Sequence, residues 1–243
     1  MTQQTALILG ATSDIGFAIA EQLRAKGTKL MLTARNTEDL KKKTSGWKEG
    51  ELIGLYQFDA DQPSTHKAFV KNLPVVPDIA VCVFGYLGDQ RKAEADWDES
   101  NRIIQANYTG AVSVLNCIAE TFMTRKSGTI VGISSVAGDR GRQSNYIYGS
   151  AKAGFTTYLA GLRNRLFPYG CHVVTVKPGF VDTKMTAGLP LPKPLTAKPE
   201  QVAKATVKAI GSKKNKIHVL PLWGPIMFVI ASVPEFVFKR LKL

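Results

Sequence analysis

Apolar residues along this chain come in short blocks, each closed by a small, polar or turn-forming residue. Thr5-Ala6-Leu7-Ile8-Leu9 ends at Gly10, Lys29 to Thr33 runs into Ala34-Arg35-Asn36, and Leu52 to Phe58 is followed by Asp59. Ile79-Ala80-Val81-Cys82-Val83-Phe84 ends in Gly85-Tyr86-Leu87-Gly88, and Gly128 to Ile133 ends in Ser134-Ser135. His172 to Val176 is closed by Lys177-Pro178-Gly179-Phe180-Val181-Asp182-Thr183. Blocks this short and this apolar read as strands buried on both faces. Helices are expected at Phe17 to Lys26 (stopping at Gly27), Trp97 to Lys126, Asn145 to Phe167, and Pro199 to Ile210 (ending at Gly211). Ile217 to Leu220 reads as a final strand. Thr186 to Lys198 carries Pro190, Pro192 and Pro194, which exclude regular helix or strand, so a flap is expected at about 184–198. Strands alternating with helices predict one α/β domain over residues 1–243. It is doubly wound, with a parallel sheet of about seven strands and helices on both faces.

Ligands of such sheets bind beyond the carboxyl ends of the strands. Gly10, Asp59, Gly85, Ser135 and Pro178 all fall at those ends. Gly10-Ala11-Thr12-Ser13-Asp14-Ile15-Gly16, between a strand and a helix, has the makings of a phosphate cradle. Glycines admit a pyrophosphate to the backbone, and the helix N-terminus offers unpaired N–H groups and a positive dipole end. The residues after the second strand select the dinucleotide. An acid there binds the ribose 2′-hydroxyl, whereas an arginine accommodates a 2′-phosphate. Arg35 stands there with no acid beside it, which favours NADP(H) over NAD(H); the alternative is that Arg35 only packs against the adenine. Asp59 is a candidate contact to adenine, and Gly85 lets the backbone approach the ribose.

The reactive groups lie later. Tyr148 and Lys152 are four residues apart, hence on one face of a helix. An ammonium near a phenol favours the phenolate and would bring tyrosine, ordinarily near 10, towards neutral pH. Ser135, thirteen residues earlier at a strand's end, could hydrogen-bond a substrate oxygen that Tyr148 protonates. Asn107, among Ile103, Ile104, Ala106, Val112 and Val114, needs polar partners if buried.

Composition narrows the picture. A chain of 243 residues with 44% hydrophobic content suits one large globular domain. The net charge of +13 implies attraction to something anionic, yet no nucleic-acid signature accompanies the short runs Lys41-Lys42-Lys43, Lys213-Lys214-Asn215-Lys216 and Lys239-Arg240-Leu241-Lys242. No nucleic-acid partner is expected. Cys82, Cys117 and Cys171 are odd in number, widely spaced and set in apolar runs, which reads as buried free thiols. With no basic-then-apolar leader at the N-terminus, the protein is expected in the cytoplasm. His66, His172 and His218 are isolated and read as structural or solvent-facing, and no metal is expected.

The tail departs from the rest. Val219 to Phe238 is almost wholly apolar, with Glu235 its only charge, although Pro221, Pro225 and Pro234 argue against one continuous helix. Two readings stay open for the extension at about 221–243. Either it is core strand plus a packed helix, or it presents an apolar face to an anionic membrane, anchored by Lys239, Arg240 and Lys242.

Gly10 to Gly16, Asp59, Asn107, Ser135, Tyr148 to Lys152, Pro178-Gly179 and Thr183 together resemble the short-chain dehydrogenases/reductases, over nearly the full chain. The resemblance implies a Rossmann fold, and a catalytic tetrad of Asn107, Ser135, Tyr148 and Lys152. It implies that Lys152 holds the nicotinamide ribose, that Asn107 orients a proton-relaying water, and that Thr183 contacts the nicotinamide carboxamide. It also implies cofactor contacts along Gly10, Thr12, Ser13, Asp14, Ile15, Gly16, Pro178, Gly179 and Val181, and a homodimer or homotetramer. Leu9 stands where the family usually has threonine, and Asp14 where it usually has the middle glycine. The expected reaction moves a hydride between nicotinamide and a carbonyl or secondary alcohol. Within the family, Phe84 to Asp89, Asn107-Tyr108-Thr109 and the tail from Trp223 are similar to reductases of a 2-keto pentose on a polyprenyl phosphate. That implies a lipid-linked carbonyl substrate. Arg140 and Arg142, between Ser135 and Tyr148, are placed for one of them to meet a substrate phosphate; the alternative is a solvated loop. A soluble reductase of a small ketone and a non-catalytic NADP(H)-binding protein are the rivals.

Overall fold

The computed structural model describes residues 3–241. Seven strands form one parallel sheet: β1 (Thr5–Leu9), β2 (Lys29–Ala34), β3 (Leu52–Gln57), β4 (Ile79–Cys82), β5 (Thr129–Ile133), β6 (His172–Lys177) and β9 (Lys216–His218). Their order is β3-β2-β1-β4-β5-β6-β9, so the chain winds outward from β1 in both directions. A second, two-residue pair, β7 (Phe180–Val181) with β8 (Thr196–Ala197), lies after β6. The helices are α1 (Asp14–Arg24), α2 (Glu38–Thr44), α3 (Pro63–Lys71), α4 (Gln90–Ala95), α5 (Trp97–Ile104), α6 (Gly110–Arg125), α7 (Tyr146–Leu166), α8 (Pro199–Gly211), α9 (Trp223–Ser232) and α10 (Glu235–Phe238).

Alternation along each strand splits the core in two. Ala6 and Ile8 of β1 pack with Val131, Val174 and Val176 under α1 and α8. Leu7 and Leu9 point the other way and pack with Ile118, Phe122, Phe155 and Leu159 of α6 and α7. Continuous apolar strands were the right pattern for this architecture, because both faces are covered. Leu9 is wholly buried.

Several expectations are corrected. The helical stretch from Trp97 to Lys126 is broken at Gln105–Thr109 by a π-helical turn between α5 and α6. The helix after the glycine turn begins at Asp14, not Phe17, because Ser13 caps it by accepting from Gly16 N (3.1 Å). The proline-rich flap is mostly irregular, yet Thr196–Ala197 pairs with Phe180–Val181 and pins the flap's end to the chain after β6. Cys82 and Cys171 are buried thiols, but Cys117 is only half-buried.

The tail follows the core reading on one face. Trp223 and Met227 of α9 are buried with Val136, packed on by Phe180, Leu195 and Ile230. The opposite face, with Phe228 and Val229, is exposed. No helix among the described residues is long and apolar enough to cross a membrane. Lys242, one of the three expected anchors, lies outside the described residues.

Candidate active site

The turn after β1 is shaped by Gly10, whose φ of +95° is easy only for glycine; a Cβ there would come within 2.8 Å of Phe84 N. Gly10 N donates to Thr33 Oγ1 (3.3 Å), and the Ser13 hydroxyl donates to Gly10 O (2.8 Å). Asp14 is not a gap in the cradle. Its carboxylate accepts from Lys184 N (2.8 Å), tying the first turn of α1 to the start of the flap. Gly16 lies just inside α1.

A cleft of about 250 Å³ opens above this turn, lined by Gly10, Thr12, Ser13, Arg35, Asp59 and Gly85 among others. A smaller cleft of about 100 Å³ adjoins it, sharing Val83, Phe84, Gly85 and Met185 in its wall. That second cleft is lined by Ile15, Asn107, Ser135, Tyr148, Lys152, Pro178, Gly179, Val181 and Thr183. The glycine turn and the candidate reactive side chains therefore face adjoining clefts along the carboxyl edge of the sheet.

The candidate side chains are held from three places: the end of β5, α7, and the turn between α5 and α6. Ser135 follows β5 in extended backbone, and its Oγ accepts from Ala137 N (3.1 Å). Ser134 faces away and locks β5 to α7 by donating to Lys152 O (3.0 Å) and meeting Thr156 Oγ1 at 2.7 Å. Lys152, buried, donates from Nζ to Ile133 O (3.2 Å) and lies 5.7 Å from the Tyr148 ring centroid. Asn107 sits in the π-helical turn, 1% exposed. Its amide donates to Ile103 O (2.8 Å) and to Tyr86 O, and its Oδ1 accepts from Tyr86 N (3.3 Å). The partners that a buried amide requires are thus backbone groups, Tyr86 in the loop after β4 and Ile103 in α5. A π-turn re-aims a side chain within a helix, and such turns gather at functional sites.

The electrostatics reverse one expectation. Burial pushes the Tyr148 phenol up to about 12, against the opposing pull of the Ser135 hydroxyl. The lysine charge does not outweigh burial, so in this structure Tyr148 is a neutral phenol at pH 7. Burial also lowers Lys152 to about 8, which leaves it mostly protonated there.

Other residues enter that the sequence pattern did not single out. Phe84, Asp61, Arg102 and Met185 line the first cleft. Beside Tyr148 a recess of about 530 Å³ is walled by Leu87, Phe180, Leu189, Pro190 and Leu191, with Gln90, Arg91 and Asn145 among its polar groups. Gln90 Oε1 accepts from Ile147 N (3.2 Å), fixing the start of α7 one residue before Tyr148. Asn145 Oδ1 is buried with no partner among the described residues. These residues belong to no fixed spacing, so only the tertiary structure reveals them.

The two candidate arginines separate. Arg140 is taken: its guanidinium donates to Ile230 O (3.2 Å), Ala231 O (2.9 Å) and Val233 O, and pairs with Glu235 (2.8 Å). It also lies 3.9 Å from the Phe238 ring centroid. It clasps the tail rather than waiting for a substrate. Arg142 is half-buried, and its Nε has no partner among the described residues. The three histidines lie apart from the two clefts over the sheet edge. His66 is fully buried between Ser113 Oγ and Asp59 O, each 2.9 Å away. Among the described residues no His, Cys, Asp and Glu cluster could hold a metal ion.

An open parallel sheet with clefts along its carboxyl edge, the first over a glycine turn, defines a Rossmann-type protein. The short chain dehydrogenase family profile matches residues 4–193. An uncharacterized oxidoreductase of Mycobacterium tuberculosis is 36% identical over 242 residues, spanning 97% of this chain and 96% of that protein. One of Streptomyces coelicolor is 34% identical over 245 residues, spanning 97% and 94%. The chain belongs to the short-chain dehydrogenase family of oxidoreductases. Among solved structures, a short chain dehydrogenase from Burkholderia cenocepacia in complex with NADP aligns with a TM-score of 0.84 at 18% identity, over 99% of this chain and 98% of that one. The actinorhodin polyketide ketoreductase with NADPH aligns with a TM-score of 0.80 at 24% identity, over 91% and 97%. At those identities the likeness is one of fold.

Proposed function

We propose that the protein is an NADPH-dependent reductase of a carbonyl, with Asn107, Ser135, Tyr148 and Lys152 as its catalytic set. The observation that carries this reading is that the cleft over the glycine turn and the cleft holding Ser135, Tyr148 and Lys152 adjoin, sharing Val83, Phe84, Gly85 and Met185 in their walls. The residues fit the dinucleotide: Gly10, Ser13 and the first turn of α1 suit its pyrophosphate, and Lys152 with Thr183 suits its nicotinamide end. Bound NADPH supplies the hydride. The protein supplies the proton. A neutral Tyr148 phenol is the right form to donate to the oxygen as it gains electrons, and the Ser135 hydroxyl holds that oxygen. Lys152 keeps positive charge at the site, and Asn107 fixes the loop that closes over it.

Lys152 loses its charge as pH rises through about 8. Reductive kcat/KM should therefore fall about tenfold per pH unit above that point. Lys152→Arg, which stays charged, should carry the activity it retains past that limit. A profile flat to pH 10 would remove Lys152's charge from the mechanism. Arg35 is exposed, lines the adenosine end and belongs to no ion pair among the described residues. That suits a 2′-phosphate. Arg35→Ser should raise KM for NADPH roughly ten- to a hundredfold, the worth of a charge-assisted pair, and leave KM for NADH nearly unchanged. Equal effects on both would assign Arg35 to adenine packing instead.

For substrate we favour a keto-sugar on a polyprenyl phosphate, the chemistry of decaprenylphosphoryl-2-keto-pentose reductases. Asn145, whose buried Oδ1 is unpartnered among the described residues, lines the recess and suits a sugar hydroxyl, and Arg142, whose buried Nε is also unpartnered there, lies in the loop before Asn145 and suits a phosphate. The apolar walls of the recess favour a second reading, a small ketone. Turnover of a lipid-linked keto-pentose against simple ketones decides between them. Arg142→Ala should raise KM only for the phosphorylated substrate. Trp97 and Phe167, exposed at 70% and 79% on or beside α5 and α7, support a homodimer or homotetramer built on the helices around Asn107 and Tyr148.

A further inference from the structure

The outward face of the tail is rich in exposed apolar side chains. Leu222, Phe228, Val229, Phe236, Val237 and Leu241 are all exposed, at 53%, 74%, 61%, 64%, 38% and 43%. On α9 the exposed positions Pro225, Phe228, Val229 and Ser232 recur at intervals of three and four, so they form one stripe. The opposite stripe holds Trp223 and Met227 and is used up inside the protein. A surface helix normally turns charged residues outward, yet α9 carries none.

The charges around this patch have one sign. Glu235 is the only acid from Val219 to Leu241, and it is turned back onto Arg140. Lys239 and Arg240 follow α10, both exposed, and neither is in an ion pair among the described residues. An apolar stripe with unpaired cations at its end and its one acid neutralised is complementary to lipid carrying negative headgroups. Self-association is less well matched, because a second copy would bring the same cations to the same edge. We infer that the outward face of α9 and α10, rimmed by Lys239 and Arg240, docks on an anionic bilayer.

The inference rests on the reductase reading for its purpose. The inner stripe of α9 packs on Val136, next to Ser135, and the ring of Trp223 lies against Gly179 and donates to Leu195 O at the flap's end (3.1 Å). Docking of the outer stripe therefore holds the mouth of the clefts at the surface where a lipid-borne carbonyl would be presented.

The test is co-sedimentation of the full chain with vesicles of phosphatidylglycerol and phosphatidylcholine, against vesicles of phosphatidylcholine alone. Wild type should sediment with the first and stay largely soluble with the second. Phe228→Ser with Val229→Ser should weaken binding at least tenfold, and Lys239→Glu with Arg240→Glu should abolish it. Sedimentation velocity on the same samples reads the assembly state. Wild type that stays soluble with every vesicle, or serine variants that bind as tightly as wild type, would overturn the proposal. So would serine variants that drop to a smaller oligomer, which would give the face to a second copy. NADPH binding and turnover of a soluble ketone, measured in parallel, keep the two readings apart. Vesicle binding without NADPH binding sinks the reductase reading alone, and NADPH binding without vesicle binding sinks the docking surface alone.

Discussion

Tyr148→Phe should lower reductive turnover about a thousandfold while leaving NADPH affinity within about twofold. The size follows from what is removed: one positioned proton donor, worth roughly 10²- to 10⁴-fold. The substitution is unusually clean here. Burial holds the phenol at about 12, so at pH 7 phenylalanine replaces a neutral ring with a neutral ring. No charge changes, Lys152 keeps its bond to Ile133 O, and Ser135 keeps its place at Ala137 N. The fold should therefore lose no more than about 1 kcal/mol, as for an ordinary substitution. NADPH consumption in single and multiple turnovers, with the cofactor titrated by its fluorescence, measures both quantities. A variant with near-normal turnover would end the assignment of Tyr148 as acid, whatever the family.

Trp223→Ala should be the most costly substitution in the tail. The side chain is 3% exposed, packs edge-on against Phe180 with ring centroids 5.5 Å apart, and satisfies Leu195 O. Truncating a large buried aromatic costs about 3–5 kcal/mol, and here it also strands a carbonyl. Native domains hold only about 5–15 kcal/mol in all. For a chain of this size the loss corresponds to a Tm lower by about 10 °C. Activity should fall further than stability alone explains, because Val136 and Gly179 lose a wall on either side of Ser135. The control is Phe228→Ala, five residues along the same helix and 74% exposed, which should cost under about 0.5 kcal/mol. Thermal unfolding of the two variants side by side settles the matter. Equal melting temperatures would mean that α9 is not docked as described.

The sheet was legible because its signals are local. Thr5 to Leu9 followed by Gly10, and Gly128 to Ile133 followed by Ser134-Ser135, state strand and terminus in adjacent residues. The clefts were legible because every strand must end at the same edge of a parallel sheet, so Gly10, Asp59, Gly85, Ser135 and Pro178 could be placed together without knowing any contact. What escaped depends on residues far apart in the chain. The break at Gln105–Thr109 answers to Asn107 reaching the backbone of Tyr86, a partner twenty-one residues away. Arg140 looked free beside the mouth because its partners, Ile230 to Glu235, come some ninety residues later. The Tyr148 shift was misjudged in sign because spacing reports a neighbouring charge but not the desolvation that competes with it. The tail divided its residues between core and surface, a division that hydropathy, scoring both stripes alike, does not show.

The clasp between Arg140 and the last turn of α9 bears on how the protein is made. The chain emerges from the ribosome N-terminus first, and all seven strands of the main sheet precede Trp223. The wall behind Ser135 and Gly179, built by Trp223, Met227 and the carbonyls that Arg140 grips, is therefore synthesised only after every strand of that sheet. A nascent chain makes the frame of the site before it makes the piece that backs its Ser135 end.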